Sequence, residues 1–223
     1  MKIVNGSGID TQQFEPAPFP DGPTRFLLIA RLLGDKGIRE YVAAAGKIRA
    51  LGWDAGFHIV GGLDSNPDGI AAAEVASWTQ GGIIDWHDTV SDVRPHIAAA
   101  HVYVLPSYRE GTPRTVLEAM AMGRPIVTSD APGCRETVRD GVNGFLVPPR
   151  DTGALVEAML KFLEDPSLIG RMGSESRRYV VEKYDVDKVN ASMLEVIGIQ
   201  DRTGPGEPPA TQSPCFDLER GQT

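Results

Sequence analysis

Glu110 and Glu118 stand with seven residues between them in the segment Glu110-Gly111-Thr112-Pro113-Arg114-Thr115-Val116-Leu117-Glu118. A carboxylate accepts hydrogen bonds from sugar hydroxyls, and the unpaired N–H groups of a first helical turn form a ready site for an anion such as a diphosphate. One carboxylate on either side of such a turn suits a ligand with a sugar at each end of a diphosphate, the outline of a nucleotide-sugar.

The elements around the segment must put it there. His101-Val102-Tyr103-Val104-Leu105 is short, β-branched and aromatic, so it reads as a buried strand closed by Pro106-Ser107-Tyr108-Arg109. Thr112 and Pro113 then supply an N-cap and a first helical residue, and Gly123 a stop. Glu110 therefore sits in the loop facing the helix N-terminus, and Glu118 rides on the helix about 7.5 Å further along at a rise of about 1.5 Å per residue. Gly111 permits close backbone approach to a ligand. The amides of Gly111, Thr112, Arg114, Thr115 and Val116 are candidate donors, whereas Pro113 has none to give. Arg109 and Arg114 add positive charge. The bland reading makes Glu110 a helix-dipole partner and Glu118 an i,i+4 surface charge.

Arg31 and Lys36 follow the first full strand, at the carboxyl edge where open α/β sheets bind ligands. Arginine suits bidentate phosphate contact and lysine acts as a compact point charge. The alternative pairs Arg31 with a surface carboxylate such as Asp35 and leaves Lys36 on a solvated helix face. All four of Arg31, Lys36, Glu110 and Glu118 are expected to converge on one hollow.

Short apolar runs alternate with amphipathic stretches, which predicts β-α units and a mostly parallel sheet. Strands are expected at 26–30, 57–60, 83–86, 101–105, 125–128 and 144–147. Helices are expected at 37–51, 68–79, 92–99 and 113–122, with a turn at 135–138, then at 152–163, 167–183 and 186–197. Residues 1–24 read as a leading segment, 25–200 as a Rossmann-like α/β domain, and the Pro-rich 201–223 as a disordered tail.

The chain has 223 residues, 41% apolar and 23% charged, enough for one large α/β domain. A net charge of −8 argues against nucleic-acid binding. Cys134 and Cys215 suggest neither a disulfide framework nor a metal site, and hence a reducing cytoplasm. His58, His87, His96 and His101 lack metal-ligand spacing, so no metal is expected. His101 reads as a satisfied core residue, Trp86 as a structural tryptophan, and Cys134 as a loop residue with no base to make it a nucleophile. Gly6-Ser7-Gly8 begins like a dinucleotide fingerprint, but Thr11 stands where its third glycine should be. No apolar run is long enough to cross a membrane.

The segment Glu110 to Glu118 resembles the carboxylate-bracketed motif of family 4 retaining glycosyltransferases, which have the GT-B fold of two Rossmann-like domains facing across a cleft. Asn5-Gly6-Ser7-Gly8-Ile9-Asp10-Thr11-Gln12-Gln13-Phe14 is similar to the family's interdomain passage, Arg31-Leu32-Leu33-Gly34-Asp35-Lys36-Gly37 to its donor-phosphate loop, and Gly133-Cys134-Arg135-Glu136 with Asp140-Gly141-Val142-Asn143-Gly144-Phe145-Leu146-Val147 to its closing segment. The likeness runs from about Val4 to Tyr184 and corresponds to the C-terminal, donor-binding half: an α/β, Rossmann-like parallel sheet with helices on both faces.

The resemblance implies transfer of a sugar, with retention, from a nucleoside-diphosphate sugar, commonly UDP-linked, to a glycan or lipid-linked acceptor. Arg31 and Lys36 would neutralise the diphosphate, Glu110 would hold the transferred sugar or its phosphate, and Glu118 the ribose hydroxyls. No cofactor is implied. The implied partners are the donor, the acceptor, an N-terminal domain supplied in trans and peripheral contact with the inner membrane surface. The chain starts where the family's interdomain linker would end, so a fragment, a truncated gene and a site completed by a second polypeptide all remain open. The competing reading is a non-catalytic nucleotide-sugar or partner-binding module.

Overall fold

The computed structural model describes residue 6 and residues 8–197. The expected tail at 201–223, with Cys215, lies outside the described residues. Six strands form one parallel sheet: β1 (Thr24–Ile29), β2 (Ala55–Val60), β3 (Asp85–His87), β4 (Val102–Leu105), β5 (Ile126–Ser129) and β6 (Gly144–Val147), in the order β3-β2-β1-β4-β5-β6. Phe26, Leu27 and Leu28 of β1, all of β4 and all of β5 are buried. Strands covered on both faces read as continuous apolar runs rather than alternating ones, which is why these were legible.

The connecting helices are α1 (Ile38–Ala50), α2 (Ala72–Gln80), α3 (Arg94–Ala98) and α4 (Arg114–Ala121). From β1 the chain winds outward through β2 to β3, returns across the sheet to β4, and winds the opposite way to β6. Right-handed crossovers in opposite directions place helices on both faces. Three more helices follow, α5 (Thr152–Glu164), α6 (Ser167–Lys183) and α7 (Val186–Ile197). α5 packs on α1 and α6 on α4, so each face gains a second helix from the chain's end. Asp151 Oδ1 caps α5 by accepting from the Ala154 amide at 2.9 Å.

The expected starts of β1, β2 and α2 move for local reasons. β1 and β2 begin at Thr24 and Ala55, with polar Arg25 and small Gly56 paired inside the ladder, so parallel pairing overrides local propensity there. α2 starts at Ala72 rather than Asp68, because Asp68 is committed elsewhere. Its Oδ2 accepts from the Asp35 amide at 2.8 Å and its carbonyl from the Gly34 amide at 2.8 Å.

The leading segment is fastened to the same body. Arg177 Nη1 of α6 donates to the carbonyls of Thr11, Phe14 and Ala121 at 2.9–3.0 Å. Arg124, fully buried and without a carboxylate partner among the described residues, donates to Ala17, Pro18, Ile97 and Ala98 carbonyls at 2.9–3.1 Å and lies 4.5 Å from the Phe19 ring centroid. The Ile9 amide bonds the Tyr184 carbonyl at 2.8 Å and the Val186 amide returns to Ile9 at 3.0 Å, tying the start of α7 to the segment.

Candidate functional site

β1 and β4 are neighbours whose chains leave the sheet toward opposite edges, so a crevice opens beyond their carboxyl ends, the usual ligand position in this topology. The loop after β1 runs into a 3-10 turn, Gly34–Lys36, and the loop after β4 runs to α4. Gly37, at φ 71°, lets these loops touch: a methyl group there would lie 2.3 Å from the Pro106 carbonyl oxygen. The Tyr108 amide donates to the Asp35 carbonyl at 2.8 Å and fixes the register.

That contact brings Lys36 and Glu110 together. Lys36 Nζ donates to Glu110 Oε1 at 2.8 Å, both side chains being 17% exposed. Ser107 Oγ donates to the same oxygen at 2.7 Å. Both bonds fall on Oε1, and Oε2 accepts none among the described residues. The Glu110 amide is held by the Pro132 carbonyl at 3.0 Å, and Gly133, at φ 84°, fits beneath: a methyl group there would lie 2.1 Å from the Glu110 carbonyl oxygen.

The start of α4 corrects the expected cap. Pro113, not Thr112, occupies the N-cap position, with ψ 107° and no side-chain cap bond. Its carbonyl accepts from the Val116 amide at 3.1 Å and the Leu117 amide at 3.3 Å, so the Val116 donor is already used. The amides of Gly111, Thr112, Arg114 and Thr115 donate to nothing among the described residues. A helix start without a capping side chain leaves its N–H groups for a ligand. Thr115 Oγ1, bonded to Tyr103 Oη at 2.7 Å and to the Ile29 carbonyl at 3.3 Å, anchors this turn to the end of β1. Residue 6 reaches the same place: a methyl group on Gly6 would lie 2.8 Å from Thr112 Oγ1.

The other expected residues sit on the rim in separate contacts. Glu118 is 8% exposed at its side chain and meets Arg114 Nε at 3.0 Å. Burial raises its carboxyl pKa, with Arg114 pulling the other way. Arg31 reaches Asp64 at 2.8 Å, with its own side chain 70% exposed, so its partner is neither Asp35 nor the Lys36 and Glu110 pair. Arg109 is exposed. Direct contact thus joins Lys36 to Glu110, while Arg31 and Glu118 each hold a partner of their own.

His101 is satisfied in the core, with Nδ1 accepting from the Arg25 amide at 3.0 Å and Nε2 2.9 Å from the Pro20 carbonyl. Trp86 Nε1 donates to the Gly61 carbonyl at 2.9 Å. Cys134 is buried, and burial pushes its thiol up to about 11. Among the described residues no group of three or more His, Cys, Asp or Glu is placed to hold a metal ion, and no helix is long and apolar enough to cross a membrane.

Ser107, Asp64 and Tyr103 were missed by the sequence reading. Ser107 lies three residues before Glu110 across a turn, a spacing that favours side-chain contact and could have found it. Asp64, 33 residues from Arg31, and Tyr103, facing Thr115 from a strand, carried no local signal.

The family model for glycosyl transferases group 1 matches residues 23–165, more than half of the chain. Over 142 residues the chain is 35% identical to the N,N'-diacetylbacillosaminyl-diphospho-undecaprenol alpha-1,3-N-acetylgalactosaminyltransferase of Campylobacter jejuni, covering 64% of this chain and 36% of that protein. Sucrose-phosphate synthase from Thermosynechococcus elongatus superposes with a TM-score of 0.74 at 28% identity, over 86% of this chain and 50% of the synthase chain. Anabaena HepE in complex with UDP-glucose superposes with a TM-score of 0.74 at 21% identity over 86% of this chain and 56% of its own, a likeness of fold. The chain spans from about a third to about half of the length of these proteins.

Proposed function

The chain belongs to the glycosyl transferases group 1, and from that membership we propose that its rim at β1 and β4 binds a nucleoside-diphosphate sugar, UDP-linked, as the donor half of a retaining glycosyltransferase of the GT-B fold. The observation that carries this reading is the contact of Lys36 with Glu110 beside four amides at the start of α4 that donate to nothing among the described residues. A lysine, a carboxylate with a free oxygen and a fan of N–H groups suit a sugar joined to a diphosphate. The UDP and UDP-glucose complexes of HepE, a structural neighbour, point to the same ligand class.

In this reading the amides of Gly111, Thr112, Arg114 and Thr115 and the Lys36 ammonium take the diphosphate, and Glu110 orients the transferred sugar. Arg31, 70% exposed, exchanges Asp64 for phosphate, and Glu118 accepts from the ribose. The bond from the anomeric carbon to the diphosphate oxygen breaks while the acceptor oxygen bonds to the same face of that carbon. The acceptor's proton passes to the departing phosphate. Preorganised N–H groups and cations stabilise the charge that develops on the leaving group, generally the largest contribution available to such a site. No resident metal or cofactor enters the scheme.

The acceptor is a glycan or lipid-linked saccharide, bound by an N-terminal domain that completes the cleft in cis or in trans. The setting is the cytoplasm, with peripheral contact at the inner membrane surface. A radiolabelled donor assay tests this. Transfer by the chain supplied with an N-terminal domain supports an enzyme, binding without turnover under every pairing supports a non-catalytic module, and absence of binding overturns both.

A further inference from the structure

On the far side of the short turn at Arg135–Thr137, a cleft of about 490 Å³ opens between the end of α6 and the first turns of α7. Arg139, Tyr179, Glu182, Lys183, Lys188 and Ser192 line it. Three of these side chains are cationic and one is acidic, a local excess of positive charge on a chain whose net charge is −8.

Neutral groups hold the cations. Lys183 Nζ donates to the Glu136 carbonyl at 3.0 Å and to Tyr179 Oη at 3.0 Å, and lies 4.8 Å from the Tyr184 ring centroid. Lys188 Nζ donates to the Val181 carbonyl at 2.8 Å. The Arg139 guanidinium lies 4.1 Å from the Tyr179 ring centroid, and its nearest carboxylate, Glu182, is 4.0 Å away and 59% exposed. By contrast, Arg31, Lys36, Arg39, Arg94, Arg114 and Arg135 each hold a carboxylate at 2.8–3.0 Å. Carbonyls and ring faces orient a cation without cancelling its charge.

An ammonium has three N–H donors and a guanidinium five. Lys183 uses its three on the Glu136 carbonyl and the Tyr179 and Tyr184 hydroxyls and offers its uncancelled charge, whereas among the described residues Lys188 has two left and the Arg139 guanidinium makes no hydrogen bond. Ser192 adds a hydroxyl to the lining. Arginine and lysine donors converging on one hollow match the several oxygens of a phosphate group. Arg139 and Lys183 also share the Tyr179 ring, so an anion between them would relieve their mutual repulsion.

We propose that the cleft between α6 and α7 is a second anion site, separate from the rim at β1 and β4, which takes a phosphate group through Arg139, Lys183 and Lys188. Two sources fit this chemistry: a free phosphate compound, or the headgroup of an anionic phospholipid.

The test titrates the isotopically labelled chain with inorganic phosphate and follows its backbone amides by NMR, while parallel samples are co-sedimented with vesicles of phosphatidylglycerol or of phosphatidylcholine. Saturable shifts at Arg139, Lys183, Lys188 and Ser192 identify a free-phosphate site. Sedimentation with phosphatidylglycerol but not phosphatidylcholine identifies the headgroup. In either case Lys188→Gln must weaken the response about tenfold, the size of one lost charge-assisted bond, and Lys36→Ala must leave it unchanged. Among the described residues the Lys188 side chain makes one hydrogen bond, to the Val181 carbonyl, so its loss leaves the fold intact, which the unshifted remainder of the spectrum verifies. The proposal is overturned by absence of both responses, by shifts that climb with ionic strength without saturating, or by a response that Lys188→Gln leaves unaltered.

Discussion

Lys36 and Glu110 are 74 positions apart in the chain, and a 2.8 Å contact joins them. It closes the β1 loop on the β4 loop at the point where the sheet changes direction. Under the proposed function, this cation and carboxylate, which neutralise one another in the free protein, separate onto the phosphate and the sugar of one ligand. Site preorganisation and ligand recognition then rest on the same pair.

Replacing Lys36 by alanine removes the ammonium and leaves Glu110 with Ser107 alone. Affinity for UDP is expected to fall by about 1.5–3 kcal/mol, the usual worth of a hydrogen bond to a charged group, measured by titration calorimetry. Lys36→Arg keeps the charge and should retain more of the affinity than Lys36→Ala. Equal, undiminished affinity in both variants would remove Lys36 from the site.

Glu118 gives a pH signature. Burial raises its pKa above the ordinary 4.5, so the folded chain holds this proton more tightly than the unfolded one. The associated stability is fully present below pH 4.5 and is lost as pH rises through the folded value. Glu118→Gln abolishes this component. Its melting temperature relative to the parent should therefore improve from acid to neutral pH while affinity for the ribose-bearing ligand drops. A constant difference across that range contradicts the assignment.

Gly133 supports the Glu110 loop from below, and a methyl group there would meet the Glu110 carbonyl at 2.1 Å. Gly133→Ala is expected to lower donor affinity as well as stability, because the loop must move. Gly141 has a similar φ of 73° with nothing within 4 Å of its added methyl. Gly141→Ala should therefore cost only the left-handed backbone strain, about 1–2 kcal/mol, with donor affinity intact. Chemical denaturation and calorimetry on the two variants make the comparison.

Arg124 tests how the leading segment is held. It donates to four carbonyls from a fully buried position. Arg124→Met strands those acceptors in the core and should destabilise the chain by about 3 kcal/mol or more. A melting temperature within a degree or so of the parent would show that water or a shifted segment satisfies them.

The sheet was legible because its central strands carry continuous apolar runs, Phe26 to Ile29 and Val102 to Leu105, and α6 and α7 because Asp165-Pro166 and Tyr184-Asp185 punctuate them sharply. The edges of β1 and β2 were not, since Arg25 and Gly56 join the ladder only once the partner strand is present. In the site, the bracketing carboxylates and the Gly-rich turns could be read from spacing. Which partner each charge would choose could not. Arg31 takes Asp64 and Asp68 serves the turn at Gly34–Lys36, and both choices depend on how the loop at 61–71 folds over the rim. Thr112 looked like a cap by residue type, yet the extended backbone of Pro113 fills that position and leaves the neighbouring amides open.

The most direct measurement is a crystal structure of the chain grown with UDP. The account predicts the diphosphate within hydrogen-bonding distance of the amides between Gly111 and Thr115 and of Lys36 Nζ, with the ribose hydroxyls on Glu118. UDP lodged elsewhere on the sheet, with those amides and Lys36 untouched, would contradict it.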